Sequence, residues 1–535
     1  MKNELKTQGS LSLLEKNMDT TAVRIDLSLM ETRAAPITDE VVVGKDILEL
    51  LAGAMYVDPL TIYREYIQNA ADAIDEARRA GDASEQAETV SITFDHAARS
   101  IRIRDLGCGV PNRDFVRRLT SIGASRKRGA SQRGFRGVGR LSGLGYCQEL
   151  VFRSRASGEP KVYEMSWNGR LLRDRLRDPG FKGSLVELIR EIGCIKVLSG
   201  AEYPAHFFEV ELLKVLRIKN DVLMNEEVVR QYLSQVAPVP FDPSFSFVQQ
   251  ISEWLSARGI PKPILVVLND GKGPVFHRAT SNFALSKHAT ESFTAVEFCE
   301  FTDRDGDVMA FGWILEHGYK GALPKSPKLG GIRVRTGNIQ VGDELVLSPY
   351  FTEPRFTLWA AGDIHVVHPR IVPNGRRDDF EAVPQYAQFQ DELRTLATSI
   401  SQKARVKSEE RNKLRRIVLL LSQAEAWLAC SSTKRLHRTI RRHSVDRAAS
   451  FAAEAASKLN KIGDKKIDLD EVGERVRKIQ QQIRRAQRQY QADIPKGRKP
   501  LTDIAILAIL ENCTLPQRAI PFAEKILATI NQRRA

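Results

Sequence analysis

Nine glycines crowd the stretch from Gly107 to Gly145. No helix or strand interior holds that density, because glycine loses more backbone freedom on folding than any other residue. The chain must therefore wrap an irregular segment around something and hang it between regular elements. Ahead of it, Asp46–Ala54 and Leu60–Ala80 read as helices, the second with Ile62, Tyr66, Ile67 and Ala70 on one side. Val90–Phe94 and Ser100–Arg104 alternate like the two strands of a hairpin turned at Asp95–Arg99. Behind it, Leu150–Arg155, Lys161–Trp167 and Ser184–Ile189 read as further strands.

At 535 residues the chain has room for three or four domains. Residues 1–40 read as an N-terminal arm and 41–215 as a first α/β domain. A second α/β domain spans 216–395, with strands at Ile264–Leu268, Val308–Leu315, Gly331–Val334 and Ile364–Val367. From 396 to 535 the pattern is helical. There Leu469, Val472, Val476, Ile479, Ile483, Ala486 and Tyr490 keep 3-4 spacing, which fits a coiled coil, hence a homodimer, or an antiparallel hairpin within the chain. The net charge of +15 belongs to this last quarter, since residues 401–535 carry 30 basic against 14 acidic side chains. Such a segment suits a polyanion such as nucleic acid, or an acidic partner, as well as a solvated helical face. The hydrophobic share of 42% is too high for a disordered chain. No apolar run reaches the length of a membrane span, and the N-terminus lacks the apolar core of a secretory signal. Six widely spaced cysteines without CxxC or histidine pairing fit free thiols in a reducing cytoplasm.

Four separated elements carry chemistry. On the second helix Glu65 and Asn69 are i,i+4 and share a face, with Asp72 one turn on. A carboxylate there can act as general base on water, and an amide oxygen suits Mg²⁺; a solvent-facing polar stripe has the same spacing. Asp105 ends a strand and is followed by Gly107 and Gly109, a carboxylate able to accept from an exocyclic amine where a ring can approach the backbone, or simply a turn. Gly134, Gly137 and Gly139, around Val138 and after Ser125 and Lys127, can turn backbone N–H groups and positive charge toward phosphates, or form a surface loop. Ser184, after Gly183, brings a small hydroxyl to a late strand end. The P-loop GxxxxGK[ST] is absent.

In this order the elements resemble the ATP-binding superfamily of gyrase, heat-shock-protein-90 chaperones, histidine kinases and MutL, the GHKL group, and look most like the heat-shock-protein-90 type. The likeness covers about 43–385 and includes the E-x-x-x-N-A-x-D-A core at 65–73. It implies an α+β fold: a two-layer α/β sandwich of Bergerat type, an α/β middle transducer domain and a helical C-terminal region. It implies ATP and Mg²⁺ as ligands, Glu65 as general base, Asn69 as the metal ligand and Asp105 on the adenine amine. Gly107 and Gly109 would lie beside the purine and Gly134, Gly137 and Gly139 in the lid, with Ser184 where the family usually has threonine. The loop Val372–Phe380 resembles the one that reaches the γ-phosphate, which puts the sensing arginine at Arg377, with Arg376 second. The sequence departs from the family in three places. Only eight residues separate Ser125 from Gly134, and Arg118 and Ala124 stand where the chaperones tend to carry Asn and Lys. The basic C-terminal quarter does not look like a chaperone dimerisation domain. The expected function is an ATPase clamp that remodels protein clients. A DNA-engaging clamp and a nucleotide-gated scaffold of a prokaryotic defence system are the alternatives.

Overall fold

The protein is described here from a computed structural model covering residues 58–81, 88–121, 139–181, 183–286, 289–325, 327–433, 438–461, 467–491, 508, 510 and 516–532. The arm 1–40 and the helix expected at Asp46–Ala54 lie outside these residues. Helix α1 (Thr61–Ala80) buries Ile62, Tyr63, Tyr66, Ile67, Ala70, Ala71, Ile74 and Ala77, and its alanines let it lie close on a sheet. That sheet has seven strands: β1 (Thr89–Asp95), β2 (Ser100–Asp105), β3 (Glu149–Arg155), β4 (Lys161–Asn168), β5 (Gly193–Ser199), β6 (Phe207–Leu213) and β7 (Leu265–Leu268). Their order is β5-β4-β3-β6-β2-β1-β7, antiparallel throughout except for β7 beside β1.

Strand side chains alternate between faces, and the register sorts them. Ile92, Phe94, Ile101, Ile103, Phe152, Val210 and Leu212 face the helices and form one core. On the opposite face Arg153 binds Glu164, Glu209 and Glu211 at 2.6–2.7 Å, Arg102 binds Glu211 and Arg104 binds Glu209. Asp105 pairs across from Val90 and so falls on the apolar face, under α1.

The run 184–189 is not a strand. It opens helix α4 (Leu185–Ile192), because Ser184 and Glu187 form a reciprocal capping box, with the Ser184 hydroxyl accepting from the Glu187 N–H and the Glu187 carboxylate from the Ser184 N–H. Helix α2 (Asn112–Thr120) and α3 (Gly169–Arg177) complete the first layer. Nor does this unit stop at 215. Val229, Leu233 and Val236 of α5 (Glu226–Val236) and Val266 and Leu268 of β7 share its core, so the expected division at 215/216 passes through packed side chains.

The second sheet has the order β10-β11-β14-β12-β13, from β10 (Ala295–Thr302), β11 (Val308–Glu316), β12 (Gly331–Thr336), β13 (Ile339–Val341) and β14 (Ala361–Val366). Strands β12 and β14 are parallel and the other pairs antiparallel. A small hairpin, β8 (Asn282–Ser286) with β9 (Ala289–Ser292), and helix α6 (Val248–Ala257) lie beside it.

Helix α7 runs unbroken from Pro384 to Ser431. Its first half places Tyr386, Phe389, Leu393, Ala397 and Ile400 in the second sheet's core. Its second half places Ile417, Leu421, Ala424 and Trp427 in a separate helical core with α8 (Arg438–Asn460), α9 (Ile467–Gln491) and α10 (Pro516–Gln532). The expected boundary at 395/396 therefore falls inside one helix. Val476, Ile479 and Ile483 of the heptad stripe pack into that core, so the seam finds its partner within the chain. The five described cysteines are free. Among the described residues, no helix is long and apolar enough to cross a membrane.

Candidate functional site

The site is built where α1, the end of β2 and a loop from the second sheet meet. Glu65 is 6% exposed although α1 is an outer-layer helix, because the loop 372–380 lies over it. That loop closes on itself through the Pro373–Phe380 bridge and the Asn374 N–H donating to the Asp379 carbonyl, 2.8 Å. At its tip Arg377 takes φ 57°, uncommon for a residue with a side chain, and its carbonyl accepts from the Gly342 N–H at 2.9 Å. The Arg377 Nε then stands 3.5 Å from Glu65 Oε1, and the Arg64 Nε 3.6 Å from the same oxygen. Neither is a hydrogen bond, and Glu65 Oε1 has no hydrogen-bond partner. A buried carboxylate oxygen between two guanidinium groups, with hydrogen-bonding capacity left, can hold a water. Arg64 also donates from Nη2 to the Arg376 carbonyl, 3.3 Å, which pins the loop.

Asn69 is half-buried one turn beyond Glu65, and Asp72 is buried. Of the lid expected around Gly134, Gly137 and Gly139, the residues Ser125, Lys127, Gly134, Gly137 and Val138 lie outside the described residues. Its end is described. Gly139 opens a 3₁₀ segment, Gly139–Gly145, and any β-carbon there would collide with Glu65 Oε2. Tyr66 of α1 fastens this segment: its hydroxyl donates to the Arg140 carbonyl at 3.2 Å and accepts from the Gly143 N–H at 2.9 Å. Burial, and then the like charge of Arg118, lower the pKa of Arg140. Two cations in mutual repulsion at the edge of the site favour an anion between them.

Asp105 accepts from the Gly107 N–H at 3.0 Å and is 4% exposed. Its place on the apolar sheet face pushes its pKa up to about 7, against the smaller downward effect of that N–H. Because the folded value lies above the usual 3.8, the stabilising, protonated state is full below pH 4 and is lost as pH rises through about 7. The loss amounts to about 4 kcal/mol. Asp105→Asn should therefore be more stable than the wild type above pH 7, with the difference vanishing toward pH 4; melting curves from pH 4 to 8 check this. A pH-independent difference would contradict it.

Gly109, at φ +65°, has no room for a side chain, since a β-carbon would run into the Arg155 carbonyl oxygen and stand 2.9 Å from its carbon. Backbone cannot move aside cheaply, so Gly109→Ala should cost about 2 kcal/mol or more, read as a lowered melting temperature.

Ser184 is held at the α4 N-cap, and its hydroxyl is engaged with Glu187. The side chain that joins the 105–109 turn is His206, just before β6, whose Nδ1–H donates to the Gly107 carbonyl at 2.8 Å. Nothing local in the sequence marks His206; the β2/β6 register, with Asp105 opposite Phe208, puts it there. Arg64 is likewise unmarked, and Tyr66 reads only as part of the helix's apolar side, although both lie in the motif helix beside Glu65.

Residues 62–171 match the family described as histidine kinase-, DNA gyrase B-, and HSP90-like ATPase. The chain is 30% identical over 139 residues to Chaperone protein HtpG of Polaromonas naphthalenivorans (strain CJ2), which is 23% of this chain and 22% of that protein. It is 29% identical over 140 residues to Chaperone protein HtpG of Verminephrobacter eiseniae (strain EF01-2), 23% of this chain and 21% of that one. The match thus spans about a fifth of the length of these relatives.

Proposed function

We propose, from the match of residues 62–171 to the histidine kinase-, DNA gyrase B-, and HSP90-like ATPase family, that the protein binds ATP with Mg²⁺, hydrolyses it slowly and uses the cycle to remodel partner proteins. One observation carries this reading. Two parts of the chain more than 300 residues apart bring the Arg377 Nε to 3.5 Å from Glu65 Oε1, with both side chains largely buried. Glu65 would orient and deprotonate the attacking water. Arg377 would neutralise charge developing on the transferred phosphoryl group. Asn69 offers a half-exposed amide oxygen to Mg²⁺, which would draw charge from the phosphate oxygens. Asp105 would accept from the purine amine, and Arg118 and Arg140 would face the phosphates. Opening and closing of the Arg377 loop over Glu65 would couple nucleotide state to the second sheet. The similarity to proteins named Chaperone protein HtpG supports protein clients as the target, and a cytoplasmic setting belongs to the same proposal. Self-association, where it occurs, would use a surface other than the heptad seam, which is filled within the chain. Steady-state ATP turnover by the full chain, beside Glu65→Ala, tests the reading; equal turnover in both would overturn it.

One observation favours the DNA-engaging alternative. After Glu474, α9 carries Arg475, Arg477, Lys478, Arg484, Arg485 and Arg488 and no acidic residue, and all of these but Arg475 are exposed. Positions seven apart repeat about 10 Å along the helix, a linear array suited to a phosphate backbone. If this face binds duplex DNA, affinity should fall at least about tenfold between 50 and 200 mM salt. Replacing Arg477, Arg484 and Arg488 by glutamine should then remove binding, measured by fluorescence anisotropy. Salt-insensitive or absent binding rejects the alternative.

A further inference from the structure

The second sheet is buried on both faces, but only one is apolar. Ile314, Ile332, Val334, Ile364 and Val366 meet α7. The register puts Trp313 of β11, Asp363 and His365 of β14, and Arg333 and Arg335 of β12 on the opposite face. Asp363 there accepts from Arg278 Nη1 at 2.8 Å, Arg335 Nε at 2.6 Å and His277 Nε2 at 2.9 Å. The His277 Nδ1 accepts from the Ala279 N–H at 3.2 Å, so Nε2 holds the proton. Two guanidinium groups and an imidazole, each no more than 7% exposed, thus hold one carboxylate, and a third buried guanidinium, that of Arg333, donates beside them to the Gly330, Gly331 and Lys328 carbonyls. A face of this kind is a poor way to gain stability, since apolar side chains of like volume often serve as well.

Over this face lies a cavity of about 220 Å³, walled by Phe241, Leu255, Pro261 and Trp313 and floored by Asp363 and His365. His365 is 3% exposed, and neither of its ring nitrogens has a hydrogen-bond partner. Burial holds it neutral, so it offers one donor and one acceptor. The Trp313 indole N–H is likewise without an acceptor. A native interior seldom leaves such groups unmatched.

We propose that this cavity binds a small, planar, uncharged or anionic heteroaromatic molecule, of one or two fused rings, whose hydrogen-bonding edge pairs with His365. The rings of Phe241 and Trp313, set at 73° to each other, can meet a planar ring by face and by edge, with Pro261 as a further apolar contact. The surplus of buried guanidinium charge excludes a cation. A cavity of about 220 Å³ has room for a bicyclic ring. The site is distinct from the Glu65–Asp105 pocket and does not depend on the ATPase reading.

Benzimidazole, whose edge bears both an N–H and an acceptor nitrogen, is the probe, and indole, of the same shape with a donor only, is its control. Titration of the full-length protein is followed by calorimetry and by the ring ¹⁵N signals of labelled histidines. Benzimidazole should bind at about 1 mM or tighter, shift the His365 nitrogens, and bind at least about tenfold more tightly than indole. Binding should be unchanged in Asp105→Asn, which rules out the purine pocket, and at least about tenfold weaker in His365→Phe. Ser256→Trp, on the exposed side of α6 at the cavity mouth, should block binding without touching the floor, and it stands in if His365→Phe does not fold. No binding to the wild type, equal binding after either of these two changes, or loss of binding in Asp105→Asn would overturn the proposal.

Discussion

Glu65→Ala should lower ATP turnover by about 10²–10⁴-fold and leave nucleotide affinity nearly unchanged. The reason is geometric. Glu65 Oε1 has no hydrogen-bond partner, and its neighbours are the Arg64 and Arg377 guanidinium groups at 3.6 and 3.5 Å. On the proposed reading the carboxylate would face the reacting water, while the purine contacts expected of Asp105 lie at the end of β2. Removing it would then take away the base and leave the binding surfaces. Turnover by a coupled phosphate-release assay and affinity by calorimetry separate the two quantities. A variant that loses binding in parallel with turnover would show that Glu65 holds the nucleotide rather than the water.

Arg377→Ala should lower kcat by about 10²–10³-fold, the size of effect seen when one fixed charge partner is removed from a developing anion. Arg376→Ala should stay within about threefold of the wild type. The Arg376 side chain is exposed, and the structure uses only its carbonyl, which accepts from Arg64. The pair of variants decides which arginine acts, because they differ by one position and share a loop. Equal losses would mean that the loop's shape, rather than the Arg377 charge, is what turnover requires.

The sequence revealed α1, the β1–β2 hairpin and the placing of Glu65, Asn69, Asp72 and Asp105, because each rests on local spacing. Arg377 was singled out through the likeness of its loop to a family motif, not through any periodicity, and its proximity to Glu65 is visible only in the structure. What local reading missed has physical causes. Leu185–Ile192 is a short apolar run whose period is ambiguous, and the Ser184–Glu187 capping box was the signal that resolves it. Strand β6 hides because Glu209 and Glu211 look like solvent residues but are buried against Arg102, Arg104 and Arg153. His206 reaches Gly107 only through pairing between strands about a hundred positions apart. Likewise the heptads of α9 were legible, but not that their partners are α7 and α8.

Helix α7 turns these pieces into a machine part. Its first turns, as far as Ala404, are set in the core of the second sheet, the same sheet whose β13 leads to Gly342 and so to the Arg377 loop, and its far end carries the basic helices. From Ala404, the last of its side chains in that core, to Ser431 the helix extends about 40 Å. A rod fixed at one end is a lever: a tilt of about 10° at the sheet would sweep the tip through about 7 Å. Small shifts at the Glu65–Arg377 contact would thus arrive at the C-terminal helices enlarged, as displacement rather than as chemistry.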